Sequence, residues 1–133
     1  MTTPPSWNPL IAFKTCMKRY IKFSGRASRA EYWFWYLSLM LIAFAVMLLA
    51  LILTGIDPSL SLLCIILYWL TTFTFLLPGI SVFVRRMHDI GRSGWAWLWC
   101  LIPFVGSIIV LVFLVSPSGP ANQYGNGPDG PLV

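Results

Sequence analysis

Polar and apolar positions in this chain alternate by whole segments rather than residue by residue. Three long stretches carry no charged residue: Trp33 to Thr54, Leu60 to Val84 and Trp95 to Val115. A helix needs about 20 apolar residues to cross the hydrocarbon core of a bilayer, and each stretch is that long. A soluble bundle could bury such helices, but three of them in so short a chain leave almost nothing to cover them. The pattern predicts an all-α integral membrane protein of one domain, 1–133, with membrane segments at 33–54, 60–84 and 95–115.

Local signals mark the segment boundaries. Ser28 and Glu31 have the spacing of a capping box just ahead of the first run. Gly55 follows that run, and Asp57-Pro58 supplies an N-cap and a proline for the next helix. Ser93 is placed to cap the third. Pro78-Gly79, near the end of the second run, predicts a kink or an early exit. Pro103 and Gly106 interrupt the third run. A kinked span is the simpler expectation. The alternative is a re-entrant hairpin broken at Pro103, which returns the C-terminus to its starting side and needs protein or water around its irregular backbone.

Ahead of the first run, residues 7–24 read as an amphipathic helix starting at Asn8-Pro9. Leu10, Phe13, Met17, Tyr20 and Ile21 recur at steps of three and four, and Lys14, Lys18 and Lys22 form a separate stripe. Such a helix suits a membrane interface; the alternative is packing on a partner protein. The tail, 116–133, is rich in Gly, Pro and Asn and is expected to be irregular.

Charge orients the picture. Six of the nine basic residues lie between Lys14 and Arg29, and the others are Arg85, Arg86 and Arg92. With three spans all nine fall on one side, the cytoplasmic one by the positive-inside rule, and the tail falls outside. Composition agrees: 58% of the residues are hydrophobic and 10% charged, against roughly 25% charged in soluble domains. The first run lies too far into the sequence and is too long for a cleaved signal peptide, so it is expected to stay. Cys16, Cys64 and Cys100 show no ligand spacing, which predicts neither a disulfide framework nor a metal site. No cofactor and no nucleic-acid partner are expected.

The densest chemistry is "RRMHDIGRSGW", residues 85 to 95. His88 and Asp89 are neighbours, and neighbours on a helix point about 100° apart. No nucleophile motif accompanies them, and one His with one Asp supplies too few ligands for zinc. The expectation is structural and non-enzymatic: a cluster of Arg26, Arg29, Glu31, Arg85, Arg86, His88, Asp89 and Arg92. Asp89 is expected to pair with Arg92, Arg26 or Arg29, and Glu31 with Arg85 or Arg86. The spare arginines would hold lipid phosphate, with Trp33, Trp35, Trp95 and Trp97 anchored at headgroup depth. "GRASRAEYWFW" (25–35) partly echoes "GRSGWAWLW" (91–99).

This points to an accessory or scaffold subunit that binds anionic phospholipids and associates with a larger membrane complex or another copy of itself. One alternative is a small transporter or channel subunit, although no ionisable residue lies within the runs. Another is a lipid-modifying enzyme using His88 and Asp89.

"FSGRASRAEYWFW", "RRMHDIGRSGW", "IPFVG" and "GPANQYGNGP", in that order, resemble the bacterial inner-membrane family known as domain of unknown function 805, from about Tyr20 to Pro128. The resemblance implies a small multi-pass inner-membrane protein and carries no activity, substrate or cofactor. It includes the Asn-x-Tyr-Gly pattern of Asn122, Tyr124 and Gly125. A tail packed against the two Gly-Arg-Ser loops must share their side, which favours the hairpin form of the third run.

Overall fold

A computed structural model describes residues 6–132; the outermost residues of the expected domain, 1–5 and 133, lie outside the described residues. Four α-helices follow in order: α1 Pro9–Lys18, α2 Arg29–Ile56, α3 Ser61–Asp89 and α4 Val105–Val115. Two 3-10 segments, Pro58–Leu60 and Gly94–Leu101, precede α3 and α4. Among the described residues there is no strand, only an isolated bridge between Asn122 and Gly125. The protein is all-helical, and two of its helices, α2 and α3, are long and apolar enough to cross a membrane.

The predicted caps form. The Asn8 side chain accepts from the Ile11 N–H, Ser28 from Glu31, Asp57 from Ser59 and Ser93 from Trp95. Each satisfies a backbone donor that has no partner inside its helix. Only half of the capping box at Ser28 is built, because the Glu31 carboxylate turns to arginines instead of back to the Ser28 backbone.

α1 is ten residues long, shorter than the 7–24 expected. Its buried face is Ala12, Thr15 and Cys16, while Leu10 and Ile21 of the expected apolar stripe are exposed. The cause is packing on α2 and α3. Phe13 stacks on Trp35 at 5.6 Å between ring centroids and meets Phe75 edge-on at the same distance. Ser38 donates to the Pro9 carbonyl and locks the start of α1 against α2.

The early exit expected as one outcome at Pro78-Gly79 does not occur: α3 runs through Pro78 to Asp89. Pro78 has no N–H for the carbonyl four residues back, which belongs to Thr74. The hydroxyl of Tyr20, from the loop after α1, donates to that carbonyl. A neighbouring side chain thus replaces the missing ladder bond.

The third apolar run is not a continuous helix. Eight residues of 3-10 helix are followed by a reversal at Ile102–Phe104 and then by the eleven residues of α4. At the tip, Phe104 has φ 59° and ψ −62°, and the Val105 N–H bonds to the Pro103 carbonyl at 2.7 Å. That is a γ-turn of the rare, strained kind. The arms are matched: about 16 Å at 2.0 Å per 3-10 residue and about 16 Å at 1.5 Å per α residue. They touch where Gly106 crosses the other arm, since a Cβ there would lie 1.6 Å from the Trp99 carbonyl oxygen. The hairpin alternative therefore replaces the kinked third span, and both ends of the run return to the end of α3 that carries Arg85 and Arg86. That end of the molecule is called the polar end below.

Burial is concentrated toward the polar end. In α2 the buried residues are Glu31, Tyr32, Trp35 and Ser38, all in the first three turns. In α3 all but Cys64 lie between Pro78 and Asp89. The far halves of both helices are bare.

A buried charge network as the candidate functional site

The polar end gathers three helix termini and two loops. The Gly25 and Gly91 turns have φ of +87° and +74°, a left-handed conformation that glycine adopts without steric cost. The two echoing Gly-Arg motifs therefore build the same bend. The Ala27 N–H bonds to the Arg85 carbonyl, so the first loop caps the last turn of α3.

Two carboxylates organise the network. Glu31 accepts from Arg85 at 2.7 Å and from Arg19 at 3.3 Å. Asp89 accepts from Arg26 at 3.0 Å, from Ser118 at 2.6 Å and from Arg86. Both acids are fully buried, as are Arg26, Arg85 and Arg86, while Arg19 is 6% exposed. Four guanidinium groups thus share two carboxylates, and backbone carbonyls supply most of the remaining acceptors. All five N–H groups of Arg26 find acceptors: Asp89 Oδ1, the Asp89 carbonyl, and the Gly119, Pro120 and Gly125 carbonyls. Arg86 donates to the Leu114 and Ser116 carbonyls, capping the C-terminus of α4, where carbonyls lack helical partners and a cation offsets the dipole. Arg85 keeps Nε and Nη2 without a hydrogen-bond partner.

The tail closes the cluster. It is irregular, as expected, but held in place along its length. The Gly119 N–H bonds to the Asp89 carbonyl, Asn122 donates to the His88 carbonyl, and the Asp129 N–H bonds to the Arg26 carbonyl. Tyr124 stacks on His88 with centroids 3.8 Å apart and planes 4° apart. His88 Nδ1 lies 3.3 Å from the Gly25 carbonyl, which assigns its proton to Nδ1. Arg19 donates to the Gly130 carbonyl, and the Leu132 N–H bonds to Thr15 Oγ1. The tail therefore sits on the same end as the arginines, which overturns its expected position across the membrane.

Of the expected pairings, Asp89 with Arg26 and Glu31 with Arg85 form. Arg92 does not reach Asp89; its guanidinium lies 5.1 Å from the Phe113 ring centre. Arg29 is exposed and reaches the Val115 carbonyl at 3.4 Å. Burial removes Arg26, Arg85 and Arg86 from headgroup contact. It also removes Trp35 from the expected anchors, because that ring packs under Phe13, whereas Trp33, Trp95 and Trp97 are exposed.

Sequence reasoning missed Arg19, which lies outside the expected Lys14, Lys18 and Lys22 stripe, and the tail carbonyls, which carry no residue-type signal. Tyr20 was assigned to an apolar stripe. Pro78 could have pointed to it, since a proline inside a helix always frees one carbonyl.

The network offers little to a reaction. His88 is held by a carbonyl and a stacked ring, and Asp89 is shared among three donors. Cys16 is buried beside Glu31, and loss of hydration pushes its thiol up to about 12, so it stays protonated and a poor nucleophile at neutral pH. Among the described residues no cluster of three His, Cys, Asp or Glu could hold a metal ion.

Comparison with known proteins agrees with a membrane setting. Residues 20–126 match the model of a family described as "Protein of unknown function (DUF805)". The chain is 39% identical over 118 residues to the Escherichia coli K12 protein named "Inner membrane protein YhaI", covering 87% of this chain and 93% of that one. It is 35% identical over 113 residues to "Inner membrane protein YhaH" of the same strain, covering 84% and 91%. "Uncharacterized protein YiiR" is 29% identical over 126 residues, covering 76% and 78%. No solved structure matches.

Proposed function

This chain belongs to the DUF805 family of proteins of unknown function, and from that premise we propose that it is a non-enzymatic accessory or scaffold protein of the bacterial inner membrane. It spans the bilayer twice, with α1 and the tail on the cytoplasmic side. α2 and α3 have 28 and 29 residues, about 42 Å and 43 Å at 1.5 Å per residue, against about 30 Å of hydrocarbon. The surplus is at the polar end, so α1 lies where the two helices emerge. The 3-10/α4 hairpin dips about halfway into the bilayer from the same face.

One observation carries the reading. The groups that could do chemistry are bonded into the network, while Lys14, Lys18, Arg29 and Arg92 stay exposed around it. These four form the surface for anionic phospholipid headgroups, each worth about 1 kcal/mol near a charged leaflet. The transporter alternative has less support, since α2 and α3 carry charges only at their ends.

The test is native mass spectrometry in mixed micelles of phosphatidylglycerol and phosphatidylcholine, with wild type and the Lys14→Glu/Lys18→Glu/Arg92→Glu variant. The wild type is expected to favour phosphatidylglycerol, and the variant to lose that preference. A wild type with no preference, purified from mild detergent as a bare monomer, refutes the proposal. A reporter fused to the C-terminus checks the side of the tail.

A further inference from the structure

The protein is not equally thick at its two ends. α2 and α3 run its whole length, and each is about 10 Å across with its side chains, or about 80 Å² in cross-section. At the far end only the short Pro58–Leu60 segment joins them. Toward the polar end the hairpin adds two more rods, its 3-10 arm and α4. We infer that the chain is a membrane wedge: it widens the cytoplasmic leaflet and gathers where that leaflet is convex. The inference rests on the membrane placement proposed above, but on none of the exposed cations.

The surface and length of the hairpin set this asymmetry. Residues 94–115 carry no charge, and only Ala96, Gly106, Val110 and Leu114 among them are buried. Most of the remaining surface is apolar and uncovered, including Leu101, Phe104 and Ile108 around the tip. Hydrocarbon is the medium that suits such a surface. Both ends of the hairpin are tied to the polar end. Ser93 caps the first arm, and Arg86 holds the Leu114 and Ser116 carbonyls at the close of the second. From there, arms of about 16 Å reach no further than the middle of about 30 Å of hydrocarbon, whatever their tilt. Their whole volume therefore falls in one leaflet.

Two extra rods add about 160 Å² to the cytoplasmic half and roughly double the protein's area there. An open cleft of about 1060 Å³ separates Trp97 and Cys100 of the first arm from Ala43 and Val46 of α2. It holds the arm away from the helix pair and widens the footprint, whatever fills it. In a flat bilayer the two leaflets have equal areas. A body that displaces more lipid from one leaflet spreads the headgroups on that side, and the mismatch is relieved where that leaflet is convex. A third spanning helix would have widened both leaflets alike and carried no such preference. The fold-back at Ile102–Phe104 is what creates it.

The experiment reconstitutes the full chain at low density into uncharged phosphatidylcholine vesicles of mixed size. A dye is placed on Gly127→Cys, where an added side chain meets nothing within 4 Å, with Cys100→Ser removing the exposed native thiol. An impermeant quencher separates molecules whose polar end faces outward from those facing inward. Outward molecules are expected at roughly twofold higher density on the smallest vesicles than on the largest, and inward molecules at lower density. Leu51→Trp/Leu62→Trp, which thickens the far end at exposed positions, should bring both ratios toward one. Leu101→Ala/Phe104→Ala/Ile108→Ala, which thins the hairpin at exposed positions, should act alike if the first variant folds poorly. Density independent of vesicle size, or the same trend in both orientations, would overturn the inference. So would a trend that vanishes together with a dimer in the hairpin variant, since a second copy would then cover the hairpin. A doubly labelled Lys14→Cys/Gly127→Cys chain keeps two failures apart: the quencher should remove both dyes of a molecule or neither. With that result, a flat size profile overturns the wedge alone. One dye quenched in every molecule overturns the membrane placement instead.

Discussion

The two ends of the α2–α3 pair differ in almost every physical respect. At the polar end, side chains from α1, both loops, the hairpin and the tail surround the helices, and full burial falls on charged groups as much as on apolar ones. At the far end the helices meet only each other and the short Pro58–Leu60 segment, and residues such as Leu51 and Leu62 are 68% and 65% exposed. The difference teaches where the specificity lies. Hydrocarbon covers an apolar helix as well as another helix does, so the far end needs length and hydropathy but no partner. The polar end holds buried ions, which must be matched one by one or pay a desolvation penalty of several kcal/mol each.

The sharpest break of this comparison is Asp89→Asn. It leaves Arg26 and Arg86 buried without their countercharge and is expected to destabilise the protein by about 3–5 kcal/mol. Denaturant-induced unfolding in detergent should show it, with the tail becoming protease-sensitive. Next comes Gly106→Ala, which sets a methyl group against the Trp99 carbonyl. The arms must separate, at an expected 1–3 kcal/mol or roughly that of other overpacked sites; the same unfolding assay reads it, and an unchanged midpoint would mean the arms do not touch. Tyr20→Phe removes the donor to the Thr74 carbonyl freed by Pro78 and should cost about 1–3 kcal/mol if no other donor takes over. Slower hydrogen exchange lost around Pro78 is its local signature. At the small end, Leu51→Ala at the far end should shift stability by no more than about 0.5 kcal/mol, because lipid fills the space. A large effect there would show that the far end has a protein partner.

The legible and illegible parts divide along the same line. Ser28, Asp57, Ser93 and Asn8-Pro9 could be read as caps because a cap acts within three residues of itself. The Glu31–Arg85 and Asp89–Arg26 pairs were among the expected ones because few acids face many bases at that end. Arg19 was not, since nothing in its neighbourhood says that α1 turns it inward to Glu31. Nor could composition show that a Gly-, Pro- and Asn-rich tail would be held, because its backbone carbonyls, rather than its side chains, bind Arg26 and Arg86.

The sequence by itself determined that the chain is helical, that α2 and α3 are long and apolar enough to cross a membrane, that the basic residues gather near their shared end, and which family the chain belongs to. Hydropathy, capping and charge asymmetry are properties of short windows, and they survive whatever the rest of the chain does. Only the tertiary structure decided that the third apolar run folds back, that four arginines are withdrawn from the surface, and that the tail shares their end. Each of these depends on groups from 28 to more than 100 residues apart, such as Arg86 with the Leu114 carbonyl and Arg19 with the Gly130 carbonyl. A run of apolar residues records that it avoids water, but the place where it turns back is set by what meets it there.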